Sequence, residues 1–197
     1  MIVAGKKSEV YWGEGNWIIL DIGFSNDGKT CGFALGDETT RLLRFGETRK
    51  LIIDQIMKQK GRVNLVIEAP LSVCFDLRRN PKGRSVEKQD LNSRYWYVGP
   101  GCVVMTAAMY LIHDIHEAIK HSPSVEVRLF EGFVSFKKGA SDHRKDVQDL
   151  REIVKNAHLW QDKIYDPGQL KQGETDEIVS AFRVAGLDCG VPAVIVA

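Results

Sequence analysis

What the chain lacks narrows its class before any motif is read. Cysteine is sparse. Cys31, Cys74, Cys102 and Cys189 stand far apart with no C-x-x-C pair, so there is neither a zinc signature nor a disulfide framework. Buried, reduced thiols are the expectation. An excess of one charge is also lacking: 27 Lys and Arg face 26 Asp and Glu, for a formal charge of +1. Any nucleic-acid footprint must therefore be local. Met1 to Trp12 carry no signal-peptide core, and no apolar run reaches the ~18 residues that a membrane helix needs. These absences predict a cytoplasmic protein with no membrane role. Internal repeats, a G-x-S-x-G elbow and a G-x-x-x-x-G-K-[ST] loop are missing as well. That removes nucleophile-elbow hydrolases and Walker-type NTPases.

What is there suits one globular domain. The 197 residues are 44% hydrophobic and 27% charged, close to the soluble average. Residues 1–16 read as an irregular segment, and 17–197 as a single domain. Trp17 to Gly23 is a short apolar run bounded by Gly, a buried strand. Ser25-Asn26-Asp27-Gly28-Lys29 is turn chemistry. Thr30 to Leu35 and Thr40 to Phe45 complete an antiparallel meander. Glu47 to Lys60 has the period of an amphipathic helix, and Val63 to Ala69 is a second apolar strand before Pro70. Helices are predicted at Gly101 to Lys120, Asp142 to His158 and Thr175 to Leu187, the last capped by Thr175. Ser124 to Phe130 is a strand ending at Glu131, and Ala193 to Val196 is a short final strand. The order predicts an α/β layered domain.

Two acids close the two apolar runs. Asp21 and Glu68 would lie near the same end of the sheet if those strands are parallel neighbours, where ligand sites form in open α/β sheets. Close carboxylates resist joint ionisation unless a cation lies between them, and oxygen ligands of this kind suit Mg²⁺ or Mn²⁺. Asp176 or Glu177, opening the last predicted helix, offers a third acid. A plain turn former at Asp21, and helix-dipole acids at 176 and 177, are the structural alternatives. Glu68 is harder to explain that way, since an unpaired charge inside an apolar run is costly.

This order of elements and acids resembles the ribonuclease H-like fold, and within it a family of predicted, resolvase-like nucleases. The likeness rests on Leu20-Asp21-Ile22-Gly23, Ile67-Glu68-Ala69-Pro70-Leu71, Phe130-Glu131-Gly132-Phe133 and Thr175-Asp176-Glu177-Ile178. It implies a mixed five-stranded sheet, three antiparallel strands then parallel ones, flanked by helices, with the final strand as an extra. It also implies a two-metal nuclease in which Asp21, Glu68 and Asp176 hold two Mg²⁺ or Mn²⁺ ions. Glu177 and Glu131 would be auxiliary. The family's basic residues match Lys137, Lys138 and Arg144 only loosely. Junction cleavage would favour a two-fold homodimer.

Residues 71–99 read as a long loop. From Asp76 to Arg94 it carries Arg78, Arg79, Lys82, Arg84, Lys88 and Arg94, followed by Tyr95-Trp96-Tyr97. Cations for phosphates beside aromatic faces for bases suit single-stranded or distorted DNA or RNA; a solvated loop anchored by aromatics is the alternative. His143, beside Asp142 and Arg144, is a base or phosphate contact in the same scheme. His113 and His116 share a helical face with Glu117 but bring no further ligand. Asp21-Ile22-Gly23-Phe24-Ser25 also resembles the first phosphate loop of actin-like ATPases and sugar kinases, which need a second such domain. A binding module that keeps the fold without catalysis is the rival of a different class.

Overall fold

Alternation along the strands sorts the side chains into two cores. In the computed structural model, which describes residues 1–24, 28–122, 124–136 and 142–197, the chain forms thirteen strands and three α-helices. These are β1 (Ile2–Ala4), β2 (Asn16–Asp21), β3 (Cys31–Leu35), β4 (Arg41–Leu43), α1 (Phe45–Lys58), β5 (Gly61–Glu68), β6 (Ser72–Phe75), β7 (Pro81–Lys82), β8 (Lys88–Gln89), β9 (Asn92–Ser93), α2 (Gly101–Ile119), β10 (Val125–Phe133), α3 (His143–Lys155), β11 (Ile164–Tyr165), β12 (Glu177–Ser180) and β13 (Val194–Val196). The main sheet runs β11-β13-β10-β5-β2-β3-β4. The β2-β3-β4 meander is antiparallel; β2, β5, β10 and β13 are mutually parallel. The chain is thus α/β with a mixed sheet flanked by helices, as predicted.

Ile18, Leu20, Leu65, Ile67, Val127 and Leu129 pack on one face, with α1 and α2. Trp17, Ile19, Val66 and Phe130 fill the other, beneath Val147, Leu150 and Val154 of α3. The α3 stripe repeats at three and four residues, the period that puts side chains on one helical face. Asp142 caps this helix, accepting from the backbone N–H groups of Arg144 and Lys145.

Several expectations are corrected. Residues 1–16 are not irregular throughout: β1 pairs in parallel with β10, Ile2 opposite Val127. Thr175 to Leu187 is not an α-helix but β12 followed by a 3₁₀ turn, Ala181–Ala185. Its apolar residues are satisfied by antiparallel pairing with β6, Val179 opposite Val73, in a small β12-β6-β7 sheet. Strand β10 does not end at Glu131 but runs on to Phe133. Residues 71–99 hold four short strands rather than one open loop. Helix α2 is, by length and composition, apolar enough to cross a membrane. Yet it lays Ala108, Leu111, Ile112 and Ile115 on the sheet and leaves Val103 and Tyr110 outside. Ser25, Asn26 and Asp27 of the predicted turn, and Lys137 and Lys138, lie outside the described residues.

Candidate metal centre and its cleft

Asp21 and Glu68 are direct partners in the β2–β5 register. Side chains paired across parallel strands share a face, and the strands are ~4.8 Å apart. Both acids fall on the α3 side, Asp21 two residues beyond Ile19 and Glu68 two beyond Val66. The helix answers them. His143 Nδ1 lies 2.8 Å from Asp21 Oδ2, and Asp146 sits close enough to share a hydrogen bond with the Asp21 carboxyl. Ligand atoms of Asp21, His143 and Asp146 all lie within 4.8 Å of one another.

Two glycines permit that approach. Gly32 stands opposite Asp21 on β3, and a Cβ there would come within 2.0 Å of the His143 carbonyl oxygen. At Gly23 a Cβ would meet Thr30 O at 2.4 Å and His143 Nε2 at 2.5 Å. The first turn of α3 therefore rests on bare backbone, which places its acid over the strand ends.

The electrostatics follow from crowding. Burial pushes the Asp21 carboxyl up; His143 pulls it back and the Asp146 charge adds to the rise. Glu68 is driven well above the usual carboxylate range, by burial first and then by the charges on Asp21 and Asp146, against a hydrogen bond from the Val134 N–H. Asp21, Asp146 and His143, with Glu68 the register neighbour of Asp21, form an oxygen-rich donor set that fits Mg²⁺ or Mn²⁺.

A cleft of about 400 Å³ opens beside this cluster, lined by Glu68 and His143 on one side and by Arg94, Tyr95 and Trp96 on another, with Phe24 and Pro100 also in its walls. Glu68 of the predicted metal pair and the predicted aromatic segment thus line one cavity, with Asp21 behind it, held to His143.

Asp176 is placed elsewhere. It precedes β12, and both its oxygens accept from Lys82 Nζ at 2.8 Å. The backbone N–H groups of Gln172 and Gly173 also donate to it, and Lys82 with these donors holds its carboxyl below the usual range. Four residues of strand, roughly 13 Å, separate it from Ser180, which pairs with Ser72. The third acid at the cluster is Asp146, which sequence reasoning missed. Its signal is there: Asp146, Leu150 and Ile153 fall at i, i+4 and i+7, so an acid sits on the buried stripe.

The other predicted residues divide. Glu177 is exposed and pairs with Arg79. Glu131 falls on the opposite sheet face from Glu68, since its register partner is Ile67. There it pairs with Arg84, whose Nη1 donates to Glu131 at 2.7 Å and to Ser72 at 2.8 Å, and whose Nη2 donates to Glu87 at 2.9 Å. Arg84, Glu87 and Glu131 are each 0% exposed. This corrects Arg84 as a phosphate contact, because a buried, doubly paired guanidinium cannot reach a strand in solvent. Lys82 is likewise engaged, by Asp176. Arg78 and Arg94 stay exposed, and Arg94 alone of the six cations predicted in this segment lines the cleft. No family model, curated protein or solved structure matches the chain.

Proposed function

We propose that this chain is a divalent-metal-dependent nuclease of ribonuclease H-like architecture, cutting phosphodiester bonds of DNA or RNA. One observation carries the reading: Asp21 and Asp146, from separate elements, cluster with His143, and Glu68, the register neighbour of Asp21, lines a cleft together with His143. Burying so much like charge is costly unless a cation neutralises it. The meander followed by parallel strands, with Asp21 and Glu68 side by side, supports the family resemblance; Asp146 takes the place that the sequence had offered to Asp176.

Asp21, Asp146 and Glu68 would hold Mg²⁺ or Mn²⁺, with His143 beside them. Bound there, such ions supply Lewis-acid activation of water and of the leaving oxygen. The protein's own part is positional. Asp21 fixes the His143 ring through Nδ1, so the imidazole can hold or pass a proton at Nε2 on the side of Gly23. Burial and the Asp21 charge favour the protonated form of Glu68, and as a metal ligand it would be ionised.

The test is incubation of the protein and of Asp21→Asn with labelled DNA and RNA in Mn²⁺, Mg²⁺ or EDTA. Cleavage that needs both metal and Asp21 bears the reading out. Wild-type cleavage by the variant, or folded protein that neither cuts nor binds Mn²⁺, overturns it.

A further inference from the structure

The cleft reaches beyond the acids, and its far wall is aromatic. Trp96 lines it, and the indole Nε1–H is shut away from solvent with no hydrogen-bond partner among the described residues. The segment that carries Trp96 is fixed from several directions. Tyr95 packs on Gly83, where a Cβ would lie 2.1 Å from its ring. Tyr95 and Tyr97 stack at 5.4 Å, and Trp96 meets Phe75 edge-on at 6.4 Å. Gly101, opening α2, presses on the Trp96 carbonyl, with only 2.7 Å to a notional Cβ. Phe24 lies in the wall on the Asp21 side, 53% exposed. Arg94 stands at the rim.

We infer that this cleft holds the base of one unpaired nucleotide, with the neighbouring phosphodiester at Glu68 and His143, so that the protein acts on single-stranded or flipped-out sites rather than continuous duplex. The inference rests on the nuclease reading above. About 400 Å³ is in the range of a pocket for one small ligand, and a stacked base pair in a duplex cannot enter it. Aromatic rings accept any base through its π-face. Arg94 offers a cation to the next phosphate along.

The experiment measures anisotropy of labelled oligo-dT, oligo-rU, a blunt duplex and a duplex with one bulged base, all in EDTA at fixed salt. The strands with an unpaired base should bind about tenfold or more tighter than blunt duplex, and an abasic bulge should lose that gain. Trp96→Leu should weaken single-strand binding roughly 5- to 150-fold, the range for one stacked base, and leave duplex binding unchanged. Trp96→Phe should keep most of it. Arg94→Ala, at an exposed position, should lower the salt slope by about one. Equal affinity for duplex and single strand overturns the inference, as does a folded Trp96→Leu that binds like wild type. Mononucleotides bound as tightly as oligonucleotides also overturn it, in favour of a small-molecule site. Binding in EDTA tests the pocket without the chemistry, and Asp21-dependent cleavage tests the chemistry without Trp96, so the two readings fail separately.

Discussion

Replacing Arg84 by methionine keeps much of the side chain's bulk and removes its charge. The guanidinium sits between Glu131 and Glu87, donating to both and to Ser72, with all three ionic groups out of solvent. Removing one partner of a buried ion pair typically costs about 3–5 kcal/mol, because the carboxylates left behind have neither water nor a counter-charge. For a chain of this length each kcal/mol shifts Tm by roughly 2–4 °C, so the melt should fall by about 6–20 °C. The pH dependence sharpens the test. Burial pushes the Glu87 carboxyl up and Arg84 pulls it back. Without Arg84 the folded-state pKa rises further above its unfolded value. The deficit is then largest above that raised pKa and shrinks as pH falls through it and the carboxyl takes up a proton. Calorimetry of both proteins from mildly acidic to mildly alkaline pH measures this. A methionine variant melting within about 2 °C of wild type, or a deficit that ignores pH, refutes the view of Arg84 as a buried clamp. It would return Arg84 to the surface as a phosphate contact.

Asp146→Asn should weaken Mn²⁺ binding by at least roughly 10–100-fold, the range seen when a group that merely supports a metal ligand is lost, whereas Asp176→Asn should leave it unchanged; calorimetric titration separates the two. Gly32→Ala should cost about 1–3 kcal/mol, the usual penalty of overpacking, and should also impair metal binding, because the new methyl meets the His143 carbonyl; a stable variant with full Mn²⁺ affinity contradicts this. Glu68 has a folded-state pKa above its unfolded one, so its protonated form stabilises the metal-free fold at low pH and that contribution is lost as pH rises through the raised value. Glu68→Gln should flatten the fall in Tm toward alkaline pH, as thermal melts in EDTA would record.

The half of the site that closes apolar runs was legible. Asp21 and Glu68 each end an apolar run, and both the strand assignment and the neighbour relation follow from pattern and the βαβ connection. Asp146 is hidden for a different reason. It sits among Asp142, Arg144, Lys145 and Asp149, where one more charge reads as a solvated face, and only the glycines at 23 and 32 bring that turn onto the sheet. The last predicted helix fails because Ile178, Val179, Ala181 and Phe182 fit a helical stripe as well as a strand. Their conformation is decided by β6, about a hundred residues away, as context overrides propensity in short strands. Arg84 shows the same limit, since nothing in a run of Arg and Lys marks the one whose counter-charge lies 47 residues on, at Glu131.

Strand β10 has β5 along one edge, while its other edge is shared end to end by β1, opposite Val127 to Leu129, and β13, opposite Glu131 to Phe133. During synthesis at about 5–20 residues per second, Ile2 to Ala4 leave the ribosome some 6–25 seconds before the residues they pair with. For that interval a three-residue strand has no template, and the meander with α1 and β5 can collapse without it. Asp21 and Glu68 both belong to the part of the sheet that is fully synthesised before β10. The seam along the far edge of β10 is complete only once β13 has been made, so a ribosome stalled before β13 would hold both acids on an unfinished sheet.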